Sequence, residues 1–130
     1  MSAARAIPFI AVLVVVAVVA AAFVTLGPPS GARARALDRR RIDDLRSTAE
    51  QLYNQYHADH RPLSDRLVDP KRDPSTRKPY EYQRIGATHY RLCAEFELKG
   101  DPDNDIYVGE RWRHNAGRAC YEFDLRAAPP

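Results

Sequence analysis

The 130-residue chain predicts an α+β protein: an N-terminal transmembrane helix, then an amphipathic helix packed on a small antiparallel sheet. Three patterns predict it. They are an uncharged apolar run near the amino terminus, an apolar stripe of helical period after it, and three later runs that alternate with period two. Hydrophobic residues make up 45% of the chain while mean hydropathy is −0.51, so the apolar residues are concentrated rather than spread. The chain beyond the apolar run has room for one small core, which excludes a multidomain enzyme.

The first element is the run from Ile7 to Leu26, which contains no charged residue. As a helix it would be ~30 Å long, the thickness of a bilayer's hydrocarbon core. The alternative is a cleaved secretory signal, with Arg5 as its basic front and Ala20-Ala21-Ala22 as its small-residue site. The run is longer than an ordinary signal core and continues through Phe23, Val24 and Leu26, which favours a retained anchor. The expected organisation is therefore a cytoplasmic terminus at 1–6, an anchor at 7–26, a Pro/Gly/Arg linker at 27–36 and a folded domain at 37–130.

Two sequence features disagree about orientation. Arg33, Arg35, Arg39, Arg40, Arg41 and Arg46 follow the run and only Arg5 precedes it, so the positive-inside rule would keep the domain in the cytoplasm. Against that, the arginines begin only after a Gly-Pro-Pro-Ser-Gly spacer, and the domain carries a cysteine pair suited to an oxidising compartment. The favoured expectation is a single-pass inner-membrane protein with its C-terminal domain in the periplasm or outside the cell. The formal charge of +3 comes largely from those arginines, and anionic lipid headgroups account for them at least as well as nucleic acid. The basic run lacks the interleaved aromatics of a single-strand binder, so nucleic acid is not an expected partner, whereas membrane lipid is expected through the N-terminal helix.

Gly27-Pro28-Pro29-Ser30-Gly31 is expected to break the helix, because proline lacks an amide donor and glycine is costly there. Ile42, Leu45, Ala49, Leu52 and Tyr56 then recur at helical spacing, which predicts a helix from roughly Leu37 to Ala58. Arg39, Arg40, Asp43, Glu50 and Asn54 fall off the stripe. The stripe is expected to pack on the domain's own sheet; a coiled-coil seam to a partner is the alternative.

Residues 59–79 read as an ordered loop or a single helical turn, with a short apolar element at Leu63, Leu67 and Val68. Asp69-Pro70, Asp73-Pro74 and Lys78-Pro79 mark turns. Strands are expected at Tyr80–Ile85, His89–Leu98 and Arg118–Leu125, each with one apolar and one wet face. Cys93 and Cys120 both fall on the wet parity. If they oppose each other in an antiparallel pair, Arg91 meets Glu122, Glu95 meets Arg118 and His89 meets Asp124 outside. Leu92 then meets Tyr121, and Tyr90 meets Phe123, inside. That complementarity is what a correct register gives, and it predicts a Cys93–Cys120 disulfide; two inert thiols are the alternative.

The order of these parts, with Arg41-Ile42-Asp43-Asp44-Leu45, Pro62-Leu63 and then Asp73-Pro74-Ser75-Thr76-Arg77-Lys78-Pro79-Tyr80-Glu81-Tyr82, resembles the type II secretion major pseudopilins and the wider type IV pilin-like family. The similarity covers roughly residues 37–98. It implies a pilin-like globular domain, a structural or assembly role through protein–protein contacts, and a protein partner in a membrane or secretion assembly. The chain departs from the family at its start: Ser2–Phe9 lacks the prepilin peptidase arrangement, and no Glu precedes Glu50. A pilin-like domain on an ordinary anchor is therefore expected, rather than a filament's main subunit.

Asp101, Asp103 and Asp105, near Gly100 and Pro102, alternate so that several hard oxygens could face one cation. Calcium suits such a loop, and the pseudopilin resemblance also implies calcium in this region. A solvated acidic turn is the plainer reading. The EF-hand pattern is not met, since Ile106 and Trp112 stand at its glycine and glutamate positions. A calcium-binding or sensory accessory module of an inner-membrane complex is the alternative function. His57 and His60 read as solvent-facing or capping groups near a helix end rather than metal ligands. Trp112, flanked by Arg111 and Arg113, reads either as a partner-facing aromatic or as a residue folded onto the sheet, the latter being favoured. Ser47, Ser64 and Ser75 lie in no nucleophile motif and no Gly-rich phosphate loop occurs, so no enzymatic activity is expected.

Overall fold

The computed structural model describes residues 3–26, 29–100, 109–127 and 129, with side chains at 8–24 and, within those ranges, from 30 onward. Its elements are α1 (Ala3–Leu26), α2 (Pro29–Asp59), β1 (Glu81–Arg84), β2 (His89–Phe96), a short 3-10 turn (Glu110–Trp112) and β3 (Gly117–Asp124). The chain divides into two compact units, Met1–Arg33 and Ala34–Pro130.

In the first unit the described side chains of α1, those of residues 8–24, are apolar on every side. Phe9, Ile10, Leu13, Val16, Phe23 and Val24 are all exposed, although they point in different directions around the helix. Among the described residues no helix is long and apolar enough to cross a membrane. The expected run at 7–26 lies within helix α1, but the expectation that it spans a membrane finds no support among the described residues.

The second helix corrects the expected linker. Rather than starting near Leu37, α2 starts at Pro29 and runs 31 residues to Asp59. Proline is tolerated in a first helical turn because the amide it lacks would have no intrahelical partner there. Beyond Gly31 the residues Ala32, Ala34, Ala36 and Leu37 favour helix, and so do the interspersed arginines. The helix ends where His60 takes a left-handed φ of 53° and its amide bonds back to the Tyr56 carbonyl at 2.8 Å.

The stripe expected on α2 is the face that packs. Ile42, Leu45 and Ala49 are buried in one cluster with Tyr90, Leu92, Phe96, Tyr121, Phe123 and Leu125, and Leu52 and Tyr56 pack against its edge. The off-stripe Arg39, Arg40, Asp43, Glu50 and Asn54 are exposed. This stripe covers the domain's own sheet, which leaves it no coiled-coil seam to offer.

The sheet is antiparallel in the order β1-β2-β3. β2 and β3 pair in the expected register, with His89 opposite Asp124, Arg91 opposite Glu122, Cys93 opposite Cys120 and Glu95 opposite Arg118. A disulfide joins Cys93 to Cys120 across the pair. Each strand differs from expectation at its ends, β1 losing both its end residues and β2 ending at Phe96 rather than Leu98. The physical reason at the end of β2 is that the Glu97 and Leu98 amides bond to a helix side chain instead of a strand.

Candidate functional site

The most polar part of the interior is built around Arg41, which is 3% exposed and flanked on α2 by the buried Asp38. Its Nε donates to Asp73 Oδ2 at 2.5 Å, and one terminal nitrogen donates to Asp38 Oδ1 at 2.7 Å. The other donates to the Ser75 hydroxyl at 2.7 Å. Glu97 completes the set at 3.4 Å. Asp38 in turn accepts the backbone amides of Glu97 at 3.0 Å and Leu98 at 2.8 Å. Three distant segments, namely α2, the 73–78 loop and the exit of β2, are thus joined by one guanidinium and two carboxylates.

The loop is shaped for this by its own sequence. Asp73 Oδ1 accepts the amides of Ser75 at 2.8 Å and Thr76 at 2.9 Å, the Asx turn that Asp-Pro-Ser favours. Arg77 adopts a φ of 62° and donates its amide to the Asp73 carbonyl at 2.9 Å, while the Asp73 amide closes the loop onto Lys78. Pro79 then leads into Tyr80, whose hydroxyl donates to Asp44 on α2 at 3.1 Å. Burial pushes the Tyr80 hydroxyl's pKa up, and the adjacent Asp44 carboxylate pushes it the same way. For Asp73 burial also pushes upward, yet the Arg41 guanidinium, the Ser75 hydroxyl and the two loop amides outweigh it, holding the carboxyl well below its ordinary range.

This network is chemically saturated. No buried side-chain polar atom among the described residues lacks a partner. Arg41 is therefore a bracket rather than an anion receptor, and the Ser75 hydroxyl belongs to the same bracket, accepting from Arg41 at 2.7 Å and donating to Asp73 Oδ1 at 2.6 Å. A groove of about 330 Å³ lies beside the second half of α2, lined by Leu52, Gln55, Tyr56, Arg61, Leu63, Arg66, Val68 and Tyr82 among others. The Thr48 hydroxyl on its wall donates to the Asp44 carbonyl of its own helix at 2.8 Å.

The other expected site residues fall out differently. Asp101, Asp103 and Asp105 lie outside the described residues, and with them the candidate calcium loop; among the described residues no His/Cys/Asp/Glu group is arranged to hold a metal. His57 Nε2 donates to the Leu125 carbonyl at 3.0 Å, so it ties the helix end to the chain after β3. Trp112 corrects the partner-facing alternative. It is 3% exposed and packs on Tyr121 with ring centroids 4.8 Å apart, because the 3-10 turn carries it over the sheet's apolar face. Of its neighbours, Arg111 lies over Phe123 at 5.2 Å and Arg113 reaches Glu110 at 2.8 Å; both are exposed.

The sequence reading missed Asp38, Arg41, Asp73 and Glu97 as a unit. One signal was available. Asp38 and Arg41 sit at three- and four-residue spacing ahead of Leu45, so they extend the apolar stripe with charges, a placement tolerated only when each charge has a partner. No protein-family model, curated protein or solved structure matches the chain.

Proposed function

We propose that the chain is a membrane-anchored, extracytoplasmic structural or assembly component, similar in organisation to a pseudopilin, that works through protein–protein contacts. The observation that carries this reading is the exposure of large apolar side chains all round α1, from Phe9 to Val24. A helix that is hydrophobic on every side belongs in lipid or in a protein core, and its helical backbone extends over 24 residues. The cross-strand disulfide supports an oxidising compartment for the domain. The Asp73–Tyr82 segment, the part of the chain on which the pseudopilin resemblance rests, is fixed to α2 through Asp73 and Tyr80.

With Trp112 buried, we look for the partner surface on the two helices. The test is site-specific photocrosslinking in intact membranes at Val16 on α1 and Gln55 on α2, combined with alkaline extraction. Retention in the extracted membrane and a discrete heteromeric adduct are expected. Release by alkali, or recovery only as an uncrosslinked monomer, overturns the proposal.

A further inference from the structure

The two sulfurs of the Cys93–Cys120 disulfide sit in unlike surroundings, although the residues face each other in register. Cys93 lies on β2, the central strand, and is 2% exposed, whereas Cys120 lies on β3, an edge strand, and is exposed. Arg118 sharpens the difference. From β3 it reaches across the outer face of the sheet to Glu81 on β1, with Nη2 donating to Oε1 at 2.7 Å and Nε to Oε2 at 3.1 Å. Glu81 is the register partner of Cys93, so the ion pair passes over that sulfur, and the same Nη2 comes within 3.6 Å of Cys93 Sγ. The other charged groups on this face are Arg91, which is paired with Glu122, Glu95, which is exposed opposite Arg118, and Asp124, which lies against His89. All of these residues belong to the second compact unit.

We propose that this disulfide is a site of thiol exchange entered from one side only, with an external thiolate attacking Cys120 and Cys93 as the leaving group. Exchange proceeds by attack of a thiolate on one of the two sulfurs, and its rate depends on access and on how well the departing thiolate is stabilised. The incoming sulfur approaches in line with the bond that breaks. That bond runs from strand to strand, so its line beyond Cys120 passes the edge of the sheet, while beyond Cys93 it runs toward β1 and the Arg118–Glu81 pair. Access and leaving-group stabilisation therefore select the same sulfur. In the step, the external sulfur bonds to Cys120 Sγ, the Sγ–Sγ bond breaks, and its electron pair departs on Cys93 Sγ, where a guanidinium donor already stands. The external thiol is oxidised into a mixed disulfide with Cys120, and Cys93 is reduced to a thiolate that takes its proton from water.

The test incubates the full folded chain with reduced glutathione at about pH 8, where part of a free thiol is ionised. The earliest adducts are trapped with N-ethylmaleimide and mapped by peptide mass spectrometry. Roughly tenfold more glutathione is expected on Cys120 than on Cys93, the factor that one charge-assisted hydrogen bond to the departing thiolate supplies. The preference should collapse toward equality in Arg118→Gln, persist in Arg91→Gln, and disappear when the chain is denatured in guanidinium chloride before glutathione is added. Equal labelling of the two sulfurs in the folded chain, or labelling mainly at Cys93, overturns the proposal. A preference that survives denaturation or the loss of Arg118 overturns it as well, and so does a folded chain that forms no adduct under conditions in which the denatured chain does.

Discussion

Arg41 Nε donates to Asp73 Oδ2 at 2.5 Å, a bond between residues 32 apart in the chain. It fixes the loop before β1 onto α2, while Asp38 on the same guanidinium holds the exit of β2. Removing the guanidinium strands two buried carboxylates, and breaking a buried pair from one side costs about 3–5 kcal/mol. Arg41→Ala is therefore expected to lower the unfolding free energy by that amount in urea titrations. Its exposed neighbour supplies the control: Arg40→Ala should cost less than about 0.5 kcal/mol. Equal effects at the two positions would show that the bracket carries no stability.

The same bond makes stability depend on acid. Burial raises the Asp73 pKa, but Arg41, Ser75 and the loop amides outweigh it, so the folded value lies below the unfolded one of about 3.9. The stabilisation is complete above the unfolded value and is lost as pH falls from there through the folded value. Arg41 is pushed up from an already high value and contributes no dependence in the accessible range. Asp73→Asn should be less stable at pH 7 and should lose less on acidification to pH 2. Parallel stability-versus-pH curves for the two proteins would contradict the assignment.

The parts that the residue pattern revealed are those set by one local rule. Period-two alternation and charge complementarity gave the β2–β3 register and the disulfide, because a slip by one residue would have turned Leu92 and Phe96 outward. The stripe from Ile42 to Tyr56 gave the packing face of α2. The start of α2 at Pro29 was hidden because Pro and Gly near a helix's first turn look the same as Pro and Gly in a linker. The Arg41 bracket was hidden for a different reason. Its members are far apart in sequence, and the long-range contacts that make them partners exist only once α2 lies on the sheet. Trp112 was ambiguous between surface and core because flanking arginines occur in both settings, and only the 3-10 turn decides it.

The disulfide closes a loop with a sequence separation of 27, which by chain entropy corresponds to about 3–4 kcal/mol. It lies beneath an ion pair, since Arg118 donates to Glu81 at 2.7 Å and also approaches Cys93 Sγ at 3.6 Å. Cys93 is accordingly buried on the outer face of the sheet. Cys93→Ser/Cys120→Ser should lose about that much stability, and reduction of the wild type should lower its melting temperature to the same value. A double variant as stable as the oxidised protein would place the domain's stability elsewhere.

Gly100 meets His114 where the chain leaves β2. Its amide donates to the His114 carbonyl at 3.0 Å, and a Cβ at this position would fall inside the imidazole's van der Waals envelope. The ring has nowhere to go: it is stacked on Phe96 with centroids 3.8 Å apart, and its Nδ1 donates to the Trp112 carbonyl at 2.9 Å. Forcing a methyl group into such packing costs about 1–3 kcal/mol, so Gly100→Ala should destabilise by that amount. The clash hypothesis makes a sharper demand on the pair, since in a His114→Ala background the same substitution should become nearly neutral. A double-mutant cycle in urea measures this coupling. A Gly100→Ala cost that survives removal of the ring would mean that the glycine is required by its backbone rather than by the space the imidazole fills.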